Sequence, residues 1–300
     1  MSLLLNYIQT HPKETKRLIG ITFKQFNHLV HVAKIAEEEL NLENEKQKIR
    51  VNLKGAGSYQ KLSVSDQILL TLDYLRQFET FQSLGVKFEV SESTAHKIFH
   101  KWLPILVSFL PASLLEQVND QPGDLEWIKE ILCNYELIVD STEQPIERPL
   151  EQECQKKFYS GYKRMHTMKD QLIILPNGSD IVDVLIGEPG PTSDINLFQK
   201  REVFFEDEQN FQADNGYLGS NKITNPPHRK PKKGELSEQQ KRENQCFSSE
   251  RIFGEHMIRN IKIFKIAKER FRLRRYIYEQ VILAICGLVR LRIGALILSG

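Results

Sequence analysis

Tyr135-Glu-Leu-Ile-Val-Asp140 is an apolar run that stops on a carboxylate. Leu137, Ile138 and Val139 favour a buried strand, whereas Asp is disfavoured inside one, so Asp140 needs a reason. Phe211-Gln-Ala-Asp214 repeats the arrangement, followed by an Asn215-Gly216 turn. A turn or helix cap after each strand would account for either Asp alone. The pair is more informative, because ligands gather at strand ends in an α/β sheet. Between the two runs, His166 to Leu175 and Asp180 to Gly187 are β-rich and separated by Pro176-Asn-Gly-Ser179, a hairpin signal. Gly190-Pro191 breaks the chain, and Thr192 or Ser193 is the expected cap of a helix over Asp194 to Lys200. A long helix is expected from about Ser249 to Lys268 and an apolar one from Tyr276 to Arg292. Strands followed by helices predict an α/β domain with a mixed sheet over residues 127–300.

The chain before this domain has a helical period. Residues 1–60 read as a helical segment with a charged stretch, Glu37 to Arg50, and a loop at Lys54-Gly-Ala-Gly-Ser58. Residues 61–126 read as an all-α domain. Ser65 or Asp66 can cap a helix whose apolar face is Ile68, Leu69, Leu72 and Leu75. A short helix carries Phe81, Leu84 and Val86, and a turn follows at Phe88-Glu-Val90. Ser91 or Ser93 then opens a third helix with Ala95, Ile98, Phe99, Trp102 and Leu103 inward, its continuation limited by Pro104. The outward set is Ser91, Ser93, Thr94, His96, Lys97, His100 and Lys101. These are small or polar enough to meet phosphates and base edges in a major groove, as a helix-turn-helix would place them. A plain three-helix packing module gives the same apolar pattern.

Composition narrows the partners. The chain has 300 residues, 40% hydrophobic, which is ordinary for a globular protein and argues against a disordered one. Net charge is only +2, so the placement of charge matters more than its sum. The four cysteines (Cys133, Cys154, Cys246 and Cys286) are scattered without zinc-ligand spacing and suit a reducing cytoplasm. Met1 to Gln9 lacks a basic region followed by an apolar core, so no secretory signal is expected. The apolar run Val281 to Val289 is about half a bilayer span and is closed by Arg290 and Arg292, so no membrane partner is expected.

A third acid, Glu255, has Arg251 at i−4 and Lys262 at i+7, along one helical face. A solvated salt-bridge stripe would look the same. The chemistry that requires three acidic groups is two-metal phosphodiester cleavage. Two carboxylates ~4 Å apart repel by roughly 4 kcal/mol at an effective dielectric of ~20, so such a cluster calls for cations, and hard Mg²⁺ or Mn²⁺ suits carboxylate oxygens. Downstream, Arg259, Lys262, Lys265, Lys268, Arg270, Arg272, Arg274 and Arg275 face a single acid, Glu269. That density favours a polyanion. His228-Arg-Lys-Pro-Lys-Lys233 adds a second basic cluster, and Lys163, Arg164 and His166 are candidate phosphate contacts.

Four motifs occur in order: Ile138-Val-Asp140-Ser-Thr-Glu-Gln-Pro-Ile146, Tyr159-Ser-Gly-Tyr-Lys-Arg-Met-His-Thr167, Ala213-Asp214-Asn-Gly-Tyr-Leu-Gly219 and Gly254-Glu255-His-Met-Ile258. Together they resemble bacterial insertion-sequence transposases of the DDE type, above all the insertion-sequence-five group related to Harbinger transposases. The resemblance covers residue 60 to the end. It implies a ribonuclease-H-like catalytic domain with Asp140, Asp214 and Glu255 as metal-binding acids, holding two Mg²⁺ or Mn²⁺ ions. Relatives carry Tyr-x2-Arg-x3-Glu-x6-Lys on the catalytic helix. Arg251, Glu255 and Lys262 match it, Ser248 stands at the Tyr position, and Glu250 would leave both spacings unmatched. The resemblance further implies double-stranded DNA as partner, at the element's terminal inverted repeats and at a target, with a homo-oligomer holding two ends. The rival readings are a ribonuclease-H-like nuclease without strand transfer and a domesticated DNA-binding protein that no longer cuts.

Overall fold

The computed structural model describes residues 1–47, 61–118, 123–224, 228 and 235–298, the side chains of residues 44, 47, 246, 248 and 250 excepted. The loop expected at Lys54 to Ser58 and the basic residues 229–233 lie outside that set. The chain forms two compact units. One comprises Met1–Pro111, Ile263–Ile266 and Leu283–Gly300, and the other Ala112–Lys262 and Ala267–Ile282.

The first unit is helical: α1 (Leu3–Thr10), α2 (Thr15–Ile19), α3 (Phe23–Gln47), α4 (Val64–Gln77), α5 (Phe81–Lys87) and α6 (Glu92–Phe109). Ser63, rather than Ser65 or Asp66, caps α4 by accepting from the Asp66 N–H, because the helix starts one residue after it. The four predicted apolar residues of α4 are buried, and so are the residues around them, since neighbouring helices cover it on several sides. Ser91 caps α6, accepting from the Thr94 N–H, and α6 continues through Pro104 to Phe109. Proline removes one backbone bond there, but buried Trp102, Leu103, Ile105 and Leu106 hold both flanking turns. Trp102 Nε1 donates to Gln67 Oε1 of α4 at 2.8 Å.

The second unit carries α7 (Leu114–Val118), α8 (Asp124–Leu132), β1 (Leu137–Pro145), α9 (Gln152–Phe158), β2 (Tyr159–Ser160), β3 (Met165–Ile174), β4 (Ile181–Pro189), α10 (Asp194–Glu202), β5 (Phe211–Gln212) and α11 (Glu238–Lys262). The last helix, α12 (Tyr278–Ile293), belongs to this unit through Ile282 and to the helical unit from Leu283. β1 pairs antiparallel with β3 and β3 with β4, while β5 runs parallel to β1. This mixed sheet is the ribonuclease-H-like arrangement. Leu137 and Val139 face a core shared with Ile173, Phe198, Phe211 and Tyr217. The alternate residues, Ile138 and Asp140, face α11 at Gly254, where an added Cβ would lie 3.3 Å from Ile138 Cγ2 and 3.3 Å from Asp140 Cβ.

Two further expectations are corrected. Asp140 is not the last residue of its strand, because β1 runs on to Pro145 by pairing with Thr167–Leu172 of β3. The basic stretch after Lys262 is not helical: α11 begins earlier and stops there, and Lys265–Ala267 forms one 3-10 turn. Buried Phe264, Ile266 and Phe271 anchor that stretch, and Phe271 makes a parallel bridge to Ile146. Among the described residues no helix is long and apolar enough to cross a membrane.

Candidate active site

β5 accompanies β1 only at Leu137 and Ile138. Beyond that point the two strands part, and Asp140 on one and Asp214, just past the end of the other, border the gap. A cleft of about 700 Å³ opens there, lined by Asp140, Ser141, Glu143, Tyr162, Lys163, Lys169, Asp194, Asp214, Tyr217 and Lys262 among others. The backbone after each acid fixes its carboxylate: the Ser141 N–H donates to Asp140 Oδ1 at 2.8 Å and the Gly216 N–H to Asp214 Oδ1 at 2.7 Å. Asp214 thereby caps the short turn Asn215–Tyr217.

Burial pushes the Asp140 carboxyl up to about 6. The Ser141 N–H opposes the rise, the charges of Asp214 and Glu255 add to it, and Arg251 opposes it. The carboxylate is thus partly desolvated among other acids, a setting that favours a cation. Asp140 and Asp214 offer the hard oxygen donors that Mg²⁺ or Mn²⁺ takes, with water and phosphate completing the shell, so these two residues fit such an ion. Glu255 is exposed on α11 and does not line the cleft, although its charge reaches Asp140. Among the described residues no three Asp, Glu, His or Cys side chains gather closely enough to hold one ion.

The basic candidates divide. Lys262 and Lys163 line the cleft, and burial, then the Lys163 charge, holds Lys262 below the usual lysine range while Asp140 and Asp170 pull it back up. Arg251, on α11, acts on Asp140 electrostatically but is not among the cleft residues. Arg164 is exposed in a left-handed turn at φ 53°, and His166 packs edge-on to Tyr159 in a separate depression, so neither lines the cleft. Lys268, Arg270 and Arg272 are exposed outside it, and Lys265 belongs to the helical unit. At the start of α6 and along it, the cap Ser91 and Ser93, His96 and Lys97 are exposed, and Thr94, His100 and Lys101 are half-buried. Lys101 is paired with Glu37 of α3, and its ammonium lies 4.9 Å from the Trp102 ring.

Sequence reasoning missed Lys169 and Asp194. Lys169 is nearly buried, donating to Asp194 Oδ1 at 3.0 Å and to the Thr192 carbonyl at 2.8 Å, with Glu143 at 3.7 Å. Lys169 sits among polar residues, Thr167, Asp170 and Gln171, so the sequence gives no local sign of its burial. Asp194 sits in the first turn of α10, where Ser193 is the cap, so it reads from sequence as an ordinary helix start.

The family described as "DDE superfamily endonuclease" matches residues 139–290, and the one described as "Helix-turn-helix of DDE superfamily endonuclease" matches residues 60–112. A protein of Microchaete diplosiphon, "Probable transposase for insertion sequence element IS702", is 34% identical over 269 residues, 89% of this chain and 89% of that protein. No solved structure matches.

Proposed function

The chain belongs to the DDE superfamily endonucleases, among the insertion-sequence transposases, and from that membership we propose that it cuts DNA at its element's terminal inverted repeats and joins the freed 3′-OH to target DNA. Asp140 and Asp214 would hold two divalent ions, Mg²⁺ or Mn²⁺, and Glu255, whose charge acts on Asp140 from outside the cleft lining, would hold one of them. When bound, such ions supply Lewis-acid charge for the leaving oxygen and lower the pKa of water at the site. Arg251 and Lys262 steady a phosphate against the acids, and Lys163 contacts the backbone beside it. Arg164, Lys265, Lys268, Arg270 and Arg272 contribute positive charge to DNA binding, and His166, held below the ordinary histidine value by burial and then by the Arg148 charge, contributes a neutral hydrogen-bonding ring. Residues 61–126 act as the DNA-binding domain, reading the repeat with the outward face of α6, and residues 127–300 as the catalytic domain. Two DNA ends must be held together, so the working form is a homo-oligomer on DNA, acting on chromosomal DNA in the bacterial cytoplasm.

The observation that carries this reading is the pairing, in one cleft, of Asp140 and Asp214 with the cations Lys163 and Lys262. A supercoiled plasmid bearing inverted repeats separates the rivals. Integration products support transposition, nicking alone supports a nuclease without strand transfer, and retarded but uncut DNA supports a binding protein. Asp214→Asn is expected to lose divalent-ion-dependent cleavage and keep most of its DNA affinity. Cleavage at near wild-type rate by that variant would overturn the site assignment.

A further inference from the structure

Asp194 touches both of the segments that carry the paired acids. Its Oδ1 accepts from Ser141 Oγ at 2.6 Å, and the Ser141 backbone N–H is the donor to Asp140. Its Oδ2 lies against Gly216, whose N–H is the donor to Asp214. A Cβ built on Gly216 would stand 2.9 Å from Asp194 Oδ2 and 2.9 Å from Asp214 Oδ1, so the two carboxylates flank a gap that only glycine leaves open. The start of α10 is itself tied down, since Lys169 bonds Asp194 Oδ1 and the Thr192 carbonyl.

An extra carboxylate beside two cation ligands would ordinarily repel them or compete for the ion. Here Lys169 supplies opposing charge inside the protein, shared between Asp194 at 3.0 Å and Glu143 at 3.7 Å. Asp194 is thus offset by a buried cation and fixed at a helix start, with Oδ1 accepting from Ser141 and Oδ2 against Gly216. We propose that Asp194, offset by Lys169, is a positioning residue that sets the spacing of Asp140 and Asp214 through Ser141 and Gly216. The inference rests on the reading of Asp140 and Asp214 as cation ligands. Groups that orient ligands from behind change metal affinity by about 10–100-fold when removed.

The test uses the full chain without DNA. Mn²⁺ is titrated against wild type, Asp194→Ala, Ser141→Ala and Asp140→Asn, and the concentration giving half of the ion's thermal stabilisation is read. Asp194→Ala and Ser141→Ala are expected to raise that midpoint about tenfold or more, with metal-free unfolding temperatures within a few degrees of wild type. A role in folding alone would move the metal-free temperature and leave the midpoint. If Asp194→Ala does not fold, Ser141→Ala decides by itself. Midpoints within twofold of wild type, with Asp140→Asn abolishing the response, overturn the positioning role alone. A wild-type response from Asp140→Asn overturns the ligand reading and this inference with it.

Discussion

Tyr278 donates its phenolic hydrogen to Asp170 Oδ2 at 2.7 Å, and the Gly187 N–H donates to Oδ1 of the same buried carboxyl at 2.9 Å. Burial raises Asp170 to about 6 in spite of both bonds and of the nearby Lys262 charge. An unfolded Asp titrates near ~3.9. The folded protein therefore holds this proton more tightly, and the associated stability is complete below about pH 4 and lost as pH rises through about 6. Asp170→Asn has no such titration. In urea unfolding, the stability of wild type relative to Asp170→Asn is expected to fall by as much as about 3 kcal/mol between pH 4 and pH 8. A difference that stays constant over that range would show that the group does not titrate in this way.

Gly254 is where α11 meets β1 beside Asp140. A Cβ there would lie 3.3 Å from the Asp140 Cβ and 3.4 Å from its Oδ2. Alanine gains roughly 1 kcal/mol of helix propensity over glycine, which offsets the cost of moving the helix by a few tenths of an ångström. Gly254→Ala is thus expected to melt within a few degrees of wild type and yet cut DNA at least tenfold more slowly, because the carboxylate is displaced. Unchanged cleavage would mean that the close approach has no bearing on Asp140.

Neighbouring lysines of α6 should behave differently. Lys97 is exposed, whereas Lys101 is occupied by Glu37 and lies over Trp102. If the outward face of α6 reads the repeat, Lys97→Gln lowers affinity for repeat DNA about tenfold, within the ~1–3 kcal/mol range of a good contact. Lys101→Gln lowers it less than threefold and shows its effect in the melting temperature instead. Equal losses of affinity in a binding titration would place both side chains on the DNA.

The acidic pair is legible in the sequence because Asp is costly inside an apolar run, and the run occurs twice. The hairpin is legible because Asn177-Gly178 is local chemistry, and Gly178 does take the left-handed conformation, φ 66°. What is not legible depends on distant partners. β1 passes beyond Asp140 only because β3 pairs with it there, and nothing between 141 and 145 announces this. Thr192-Ser-Asp194 is a helix cap by any local rule, and its link to Ser141 needs α10 to lie over the sheet. The basic stretch 263–275 contains good helix formers, but Phe264, Ile266 and Phe271 are each buried elsewhere, and tertiary packing outweighs propensity.

Lys163 and Lys262 share the cleft but not the same surroundings. Lys163 is exposed on its turn, its ammonium 5.0 Å from the Tyr162 ring, while Lys262 is half-buried near Asp140 and Asp170. An exposed lysine that neutralises one phosphate releases about one counterion, so Lys163→Gln is expected to reduce the slope of log affinity against log salt by about 1. The loss should be the same on repeat and unrelated duplexes, since phosphate contacts carry no sequence information. Lys262→Gln should leave that slope closer to wild type and lower the cleavage rate by more than it lowers affinity, because its charge acts beside the acids. The measurement is a salt series of binding isotherms for both variants, with single-turnover cleavage at one salt concentration. An unchanged slope for Lys163→Gln would remove it from the DNA path. A slope loss for Lys262→Gln with wild-type cleavage would make Lys262 a backbone contact and nothing more.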